Sequence, residues 1–285
     1  MKILNKEIIL GSAQFDLKYG IKHFGDQIDL KEIIEIFKLS KGFINSLDTS
    51  ANYKNVEKLI STLNLQNFNF YTKTLSLNTY NIDIVKTRLE KSLNYFGENK
   101  IEGLYIHNFN DINNKNFDLL YQYIVNLKKN KIINKIGFSI YDKKQIQFLI
   151  KNYSFDIIQV PINIFDQRLI INHLKILKQK KITIIARSIF LQGLLLNLNN
   201  YPNYFKKWSK KFTKFDYFLK TNKIEPVDAC LSFVNNIEEI DKIIIGIKNS
   251  KQLDQILNFK LIKNLNFDEF SMTDKNLIDP RKWNL

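Results

Sequence analysis

The chain has 285 residues, 45% hydrophobic and 13% aromatic, and its 43 Lys and Arg outweigh 28 Asp and Glu to give a net charge of +15. These are globular values that exclude a disordered or fibrous chain. The single cysteine, Cys230, excludes an internal disulfide and a cysteine-built zinc site.

In chain order, the apolar run Ile8–Leu10 predicts a first strand that ends in Gly11, Ser12, Ala13 and Gln14. Leu30, Ile33, Ile34 and Phe37 then follow helical spacing, with Asp29 as N-cap and Glu32 closing a capping box. A second strand over Phe43–Leu47 runs into Asp48 and Thr49, with Tyr53 five residues on, before a helix at about Val56–Leu63. The third strand, Phe68–Thr72, ends at Lys73, and a helix follows on Val85, Leu89, Leu93 and Phe96 with Gly97 as its stop. Gly103–Ile106 leads to His107 and Asn108, and a helix over Phe117–Lys129 comes next. Lys135–Phe138 leads to Ser139 and a helix over Lys143–Ile150; Asp156–Val160 carries Gln159, with Asn163 beyond it and a helix over Ile170–Gln179. Ile182–Ala186 ends at Arg187 and Ser188, and Lys242–Ile245 ends at Gly246 with Lys248 and Ser250 behind it, ahead of a helix over Gln252–Asn258.

The interval from Pro202 to Asn236 holds two helices, the second opened by Pro226. In the first, Lys206, Lys207, Lys210, Lys211 and Lys214 interleave with Phe205, Trp208, Phe212 and Phe215. That spacing predicts a solvated face opposite a buried one, and not a nucleic-acid surface. Lys2, Lys6 and Glu7 argue against a secretory leader. The most apolar stretch, Ile182 to Leu198, is broken by Arg187, Ser188, Gln192, Gly193 and Asn197 and cannot form a membrane span. A soluble cytoplasmic protein is the expectation.

Eight strands alternating with about eight helices, without a linker, predict one α/β domain over 1–285, a single-domain (β/α)8 TIM barrel. An open doubly wound sheet would call for a Gly-rich phosphate turn after an early strand, and none occurs. Chemistry in a barrel belongs to its C-terminal mouth, so Asp48, Tyr53, Lys73 and His107 are predicted to meet there. Tyrosine is a poor acid, with an unperturbed pKa of about 10. A nearby ammonium would make the hydroxyl a better donor, a carboxylate would hold the lysine, and an imidazole would stabilise charge on a carbonyl oxygen. The hydride for a reduction must come from a cofactor. His23, His107 and His173 lack ligand spacing, so no metal site is expected.

These residues and several motifs carry a family resemblance. LGSAQF…YG, SLDTSANY (Ser46–Tyr53) with Glu57, YTKT, YIHN, GFSIY, QVPIN with Asp166 and Arg168, ARSIFLQGLL and IIGIKNSKQL, in that order, resemble the aldo-keto reductases over nearly the whole chain. The resemblance implies Tyr53 as general acid, tuned by Lys73 and Asp48, with His107 orienting the carbonyl. It implies an NADPH site, with NADH the other choice. Gly11, Ser12 and Ala13 would belong to it, with Ser139 and Gln159 at the carboxamide. Ser188, Leu191 and Gly193 would lie around the pyrophosphate, and Gly246, Lys248, Ser250 and Gln252 near the adenosine phosphate.

The sequence departs from the family pattern at Ile140, where an Asn would stand beside Ser139, and at Arg187, in the slot of a ring that stacks on nicotinamide. Gln252 replaces an Arg for a 2′-phosphate and Ile256 an adenine-contacting Asn; Lys248 and Lys251 favour NADP. ARSIFLQGLL and the YFKKW helix resemble a bacterial branch associated with surface-polysaccharide and sugar-nucleotide pathways, which implies a sugar-derived carbonyl substrate. The expected partners are that small molecule, no nucleic acid and no membrane, for a monomer or homodimer. The alternative is a non-catalytic NADPH-binding sensor or auxiliary subunit on the same barrel. Substrate choice is expected to lie in the loops Phe15–Ile28, Asn108–Asn116 and Leu196–Asn203.

Overall fold

The computed structural model describes residues 5–15, 28–63, 65, 67–97, 101–170, 172–263 and 265–285. Among them, eight strands form one parallel sheet closed on itself: β1 (Glu7–Gly11), β2 (Ser46–Asp48), β3 (Asn69–Lys73), β4 (Ile101–Ile106), β5 (Ile133–Ser139), β6 (Ile157–Pro161), β7 (Thr183–Arg187) and β8 (Lys242–Gly246). Each strand pairs with the next in sequence, and β8 closes on β1 with Gly246 opposite Gly11. The strands are covered on both faces, which is why they read as continuous apolar runs.

The helices between them are α1 (Leu30–Ser40), α2 (Val56–Ser61), α3 (Ile82–Phe96), α4 (Phe117–Lys129), α5 (Lys143–Asn152), α6 (His173–Gln179), α7 (Ser209–Thr221), α8 (Pro226–Asn235), α9 (Ser250–Leu257) and a short α10 (Lys275–Ile278). This is the (β/α)8 barrel that the alternation predicts. In the lysine-rich segment, Phe205, Trp208, Phe212 and Phe215 are buried and the five lysines are exposed. Each buried ring contributes roughly 1.5–3 kcal/mol.

Three local expectations shift. The second strand begins at Ser46 and not Phe43, because Gly42 turns through φ +85° after α1 and leaves Phe43 68% exposed. The helix expected from Ile170 begins at His173, because Asn172 takes φ 63°. The capping box at α1 is only half formed. Asp29 accepts from the Glu32 N–H at 2.7 Å, while the Glu32 carboxylate accepts from the Ser250 N–H of α9.

The barrel interior is filled by Ile9, Tyr71, Tyr105, Ile157 and Ile185, with Ile244 against them. Gly103 and Gly137 make room for these rings. A Cβ on Gly137 would stand 2.6 Å from the Ile157 carbonyl oxygen and 2.7 Å from the Tyr105 ring. This packed layer closes the barrel below, and among the described residues an open cleft lies above it, at the strand C-termini.

Candidate active site

That cleft is a cavity of about 650 Å³, a size suited to a small-molecule or cofactor site. Asp48, Tyr53, Lys73 and His107 all line it, brought together from the ends of β2, β3 and β4 and the turn after β2.

Asp48 and Lys73 are buried as an ion pair. The Lys73 Nζ donates to Asp48 Oδ1 and, at 2.7 Å, to the Thr49 carbonyl oxygen. Asp48 Oδ2 accepts from the Gln159 amide at 2.5 Å, and the Asp48 carbonyl oxygen accepts from the Ser12 hydroxyl and N–H. Burial pushes Asp48 up and Lys73 down, and their contact opposes both shifts. Breaking such a pair leaves one uncompensated buried charge.

Tyr53 is half-buried in the cavity wall, with the Lys73 Nζ 5.6 Å from its ring centre. Burial raises its pKa above the usual phenol value, and Asp48 pushes the same way. The hydroxyl is therefore protonated throughout the neutral range.

The His107 Nδ1 lies 3.2 Å from the Asn52 side-chain nitrogen and 3.3 Å from the Ser50 hydroxyl. An amide nitrogen only donates, so Nδ1 is the acceptor and the ring proton sits on Nε2. Burial, then Lys73 and Arg187, lowers the His107 pKa to about 3, so the ring is neutral at working pH. A neutral imidazole that carries its proton on Nε2, in a residue that lines the cavity, is a hydrogen-bond donor.

Sequence reasoning missed Ser50 and Asn52, although both stand between Asp48 and Tyr53 in the same polar turn. It also missed Tyr141, whose ring centre lies 4.1 Å from the Arg187 guanidinium carbon and 3.3 Å from that of Arg281. Nothing in the sequence joins residues 141 and 281. Glu57, part of the resembling motif, is fully buried and ties α2 to β3 and α3 through Thr72, Arg88 and Ser92.

Of the predicted cofactor residues, Gly11, Ser12, Ala13 and Gly246 line the cavity from the ends of β1 and β8, with Ser139 and Gln159 from β5 and β6. Arg187, Ser188 and Gly193 line it after β7, and Lys248 and Gln252 line it beside α9. Leu191 and Ser250 stand outside this wall: Leu191 is buried behind it, and the Ser250 N–H is taken by Glu32. Of the mouth loops, 196–203 reaches the cavity through Leu196, Asn197 and Asn200, while 108–116 supplies no wall residue. Residues 16–27, with His23 and the YG of the first motif, lie outside the described residues.

The loop after β7 concentrates backbone strain. Ser188, Leu191 and Gln192 take φ values of 59°, 47° and 53°, followed by Gly193 at 89°. Such conformations cost on the order of 1–3 kcal/mol each and cluster where a site needs a fixed backbone. The Asn163 amide supports this turn by donating to the Ser188 carbonyl oxygen at 3.1 Å.

The sequence model of the aldo/keto reductase family matches residues 7–278. The chain belongs to the aldo/keto reductase family. Among proteins of curated function none matches. Among solved structures it is similar to aldo-keto reductase AKR11C1 from Bacillus halodurans in its holo form, at TM-score 0.71 and 16% identity over 93% of this chain and 89% of that one. It is also similar to glycerol dehydrogenase AKR11B4 from Gluconobacter oxydans, at TM-score 0.67 and 15% identity over 90% and 87% of the two chains. At these identities the likeness shows the shared fold.

As an aldo/keto reductase, the protein is an oxidoreductase of a family that reduces carbonyl groups with NAD(P)H. The cavity fits such a dinucleotide. Its wall joins Ser139 and Gln159 at the ends of β5 and β6 to the positive-φ residues Ser188, Gln192 and Gly193 and to Lys248 beside α9, a polar and cationic run along one side of the cleft. Among the described residues, no cluster of three His, Cys, Asp or Glu side chains could hold a metal, and no helix is long and apolar enough to cross a membrane.

Proposed function

We propose that this aldo/keto reductase reduces an aldehyde or ketone to an alcohol, with Tyr53 as general acid and Lys73, Asp48 and His107 in support. The carrying observation is that these four residues, from three strand ends, line one cavity above a packed barrel floor. The reading extends to one barrel domain over 1–285.

A bound reduced nicotinamide would supply hydride to the carbonyl carbon. The chain's own residues handle the oxygen. His107, neutral and carrying its proton on Nε2, donates to the carbonyl oxygen and polarises it. Tyr53 keeps its proton until negative charge develops on that oxygen, then transfers it, because an alkoxide is far more basic than a phenolate. The Lys73 ammonium stabilises the tyrosinate left behind, and Asp48 holds Lys73 in place. Lys73 acts here at a distance, through its field, since its two strong hydrogen bonds go to Asp48 and Thr49.

Gln159 and Ser139, which line the cavity from the ends of β6 and β5, are suited to a nicotinamide carboxamide. The Arg187 guanidinium, held by the Ile140 carbonyl oxygen at 2.9 Å and by the Tyr141 ring, offers a flat cationic face. Ser188 and Gly193 in the strained turn suit the pyrophosphate, and Gly246, Lys248 and Gln252 on the cavity wall suit the adenosine end. There the choice between NADPH and NADH turns on Lys248 and Lys251, which favour a 2′-phosphate, and Glu32, which opposes it.

Asn52, Gln192, Asn197 and Asn200 on the cavity wall support a hydroxyl-rich, sugar-derived substrate, in keeping with the resemblance to polysaccharide and sugar-nucleotide enzymes. The partner is then a small molecule, without nucleic acid or membrane, and the cytoplasm is the compartment that supplies both reactants. The test is fluorescence titration with NADPH and NADH, followed by a screen of keto-sugars and aldehydes for loss of reduced-cofactor absorbance. Turnover of a keto-sugar is expected. Dinucleotide binding without oxidation by any carbonyl would favour the sensor alternative and overturn this reading.

A further inference from the structure

Glu32 stands three residues after the Asp29 cap, where folding back onto the Asp29 N–H would complete a capping box. It does not fold back. Its carboxylate crosses to α9, 218 residues away, and accepts from the backbone N–H of Ser250, the first residue of that helix. The Ser250 side chain hydrogen-bonds to it as well, and the Lys251 ammonium lies close enough to favour its charge. The Ser250 backbone bond, above all, holds the Glu32 carboxyl below the usual range, so it is ionised throughout the working pH range.

The first turn of α9 is therefore already supplied with an anion. The Ser250 N–H goes to Glu32, and the Gln252 N–H goes to the Asn249 side chain at 2.9 Å. A helix start with converging N–H groups is where a protein holds a phosphate, and here a side chain of the same molecule occupies it. The place is also next to the cleft: Lys248 and Gln252 of this turn line the cavity, while Ser250, with Glu32 on it, stands just outside the wall. Lys251, which the sequence alone would count toward a phosphate, also favours the Glu32 charge.

We propose that Glu32 is a cofactor-specificity residue that selects NAD(H) over NADP(H), its carboxylate holding the anion position at the start of α9 that a 2′-phosphate would need. The inference rests on the reading above, in which this turn meets the adenosine end of a dinucleotide. NADH presents a neutral 2′-hydroxyl, which can donate to a carboxylate. NADPH presents a phosphate of about two negative charges, which must displace Glu32 or face it. A charge set against the wrong ligand is one of the ways a site discriminates between two ligands that otherwise match.

The test is the ratio of NADPH to NADH dissociation constants, measured by fluorescence titration for the native protein, Glu32→Gln and Glu32→Ala. Glutamine keeps an acceptor for the Ser250 N–H and removes the charge; thermal melts check that all three fold. The native protein is expected to bind NADH at least tenfold more tightly. Both variants should move the ratio at least tenfold toward NADPH, with NADH binding unchanged or weaker. A native preference for NADPH, or a ratio that does not move while both dinucleotides still bind, overturns the role of Glu32 and leaves the reductase reading standing. Failure of the native protein to bind either dinucleotide overturns both.

Discussion

The Lys73 ammonium donates to the Asp48 carboxylate and the Thr49 carbonyl oxygen, and stands 5.6 Å from the centre of the Tyr53 ring. The ion pair is thus the inner element of the site, with the phenol outside it. Side-chain exposures of 4% for Lys73 and 6% for Asp48 make each charge dependent on the other.

Lys73→Met should destabilise the fold by about 3–5 kcal/mol, because it strands the Asp48 carboxylate. Asp48→Asn with Lys73→Met should cost less than Lys73→Met alone. Urea denaturation of the singles and the double measures this. Additive losses would show that the two charges do not depend on each other.

Tyr53→Phe should lower turnover by about 10²–10⁴-fold, the worth of a positioned general acid. Dinucleotide affinity should stay within about twofold, since the hydroxyl is assigned to the substrate oxygen. Stopped-flow turnover and cofactor titration on the same variant separate the two. Native-like turnover would remove Tyr53 from the role of acid.

His107 gives a pH signature in stability. Its folded pKa of about 3 lies below the ordinary 6.5. Above 6.5 it is neutral folded or unfolded; between 6.5 and 3 the unfolded chain takes up a proton that the folded chain refuses. Stability from this group is thus complete above 6.5 and falls on acidification, by up to about 1.4 kcal/mol per pH unit. His107→Gln should flatten denaturation free energy against pH between 6.5 and 4.5. Parallel curves would show that His107 takes up its proton as readily in the folded chain as in the unfolded one.

Gly137→Ala should destabilise by about 1–3 kcal/mol or more, as overpacking in a closed core does. The added Cβ meets the Ile157 backbone oxygen, which cannot rotate away. Gly97→Ala is the contrast. Its φ of +77° is strained for alanine, but nothing among the described residues crowds the added Cβ within 4 Å, so the loss comes from backbone conformation. Denaturation midpoints and the near-ultraviolet signal of Tyr71 and Tyr105 follow the difference. An undisturbed aromatic signal in Gly137→Ala would contradict the packed floor.

Much of the fold was legible because each barrel strand is a short apolar run buried on both sides, and because polar residues directly after such runs fall at one mouth. Asp48, Lys73 and His107 could be found by that rule, and Tyr53 by its place in the turn that follows. The misplaced edges, at Phe43 and Ile170, are apolar residues beside positive-φ turns at Gly42 and Asn172. Hydrophobicity alone does not reveal where a chain turns.

The sequence by itself determined the barrel, the family and the polar set at its mouth, because apolar periodicity and motif order are local properties written along the chain. Only the tertiary structure decided the pairings: Lys73 with Asp48, Asn52 with the His107 Nδ1, Arg281 with Tyr141, and Glu32 with Ser250 across 218 residues. Closing the barrel brings distant strand ends and helices within hydrogen-bond reach, where an acceptor can meet a donor far away in sequence. That is why Glu32, which its own helix would have used as a cap, ends at the rim of the candidate active site.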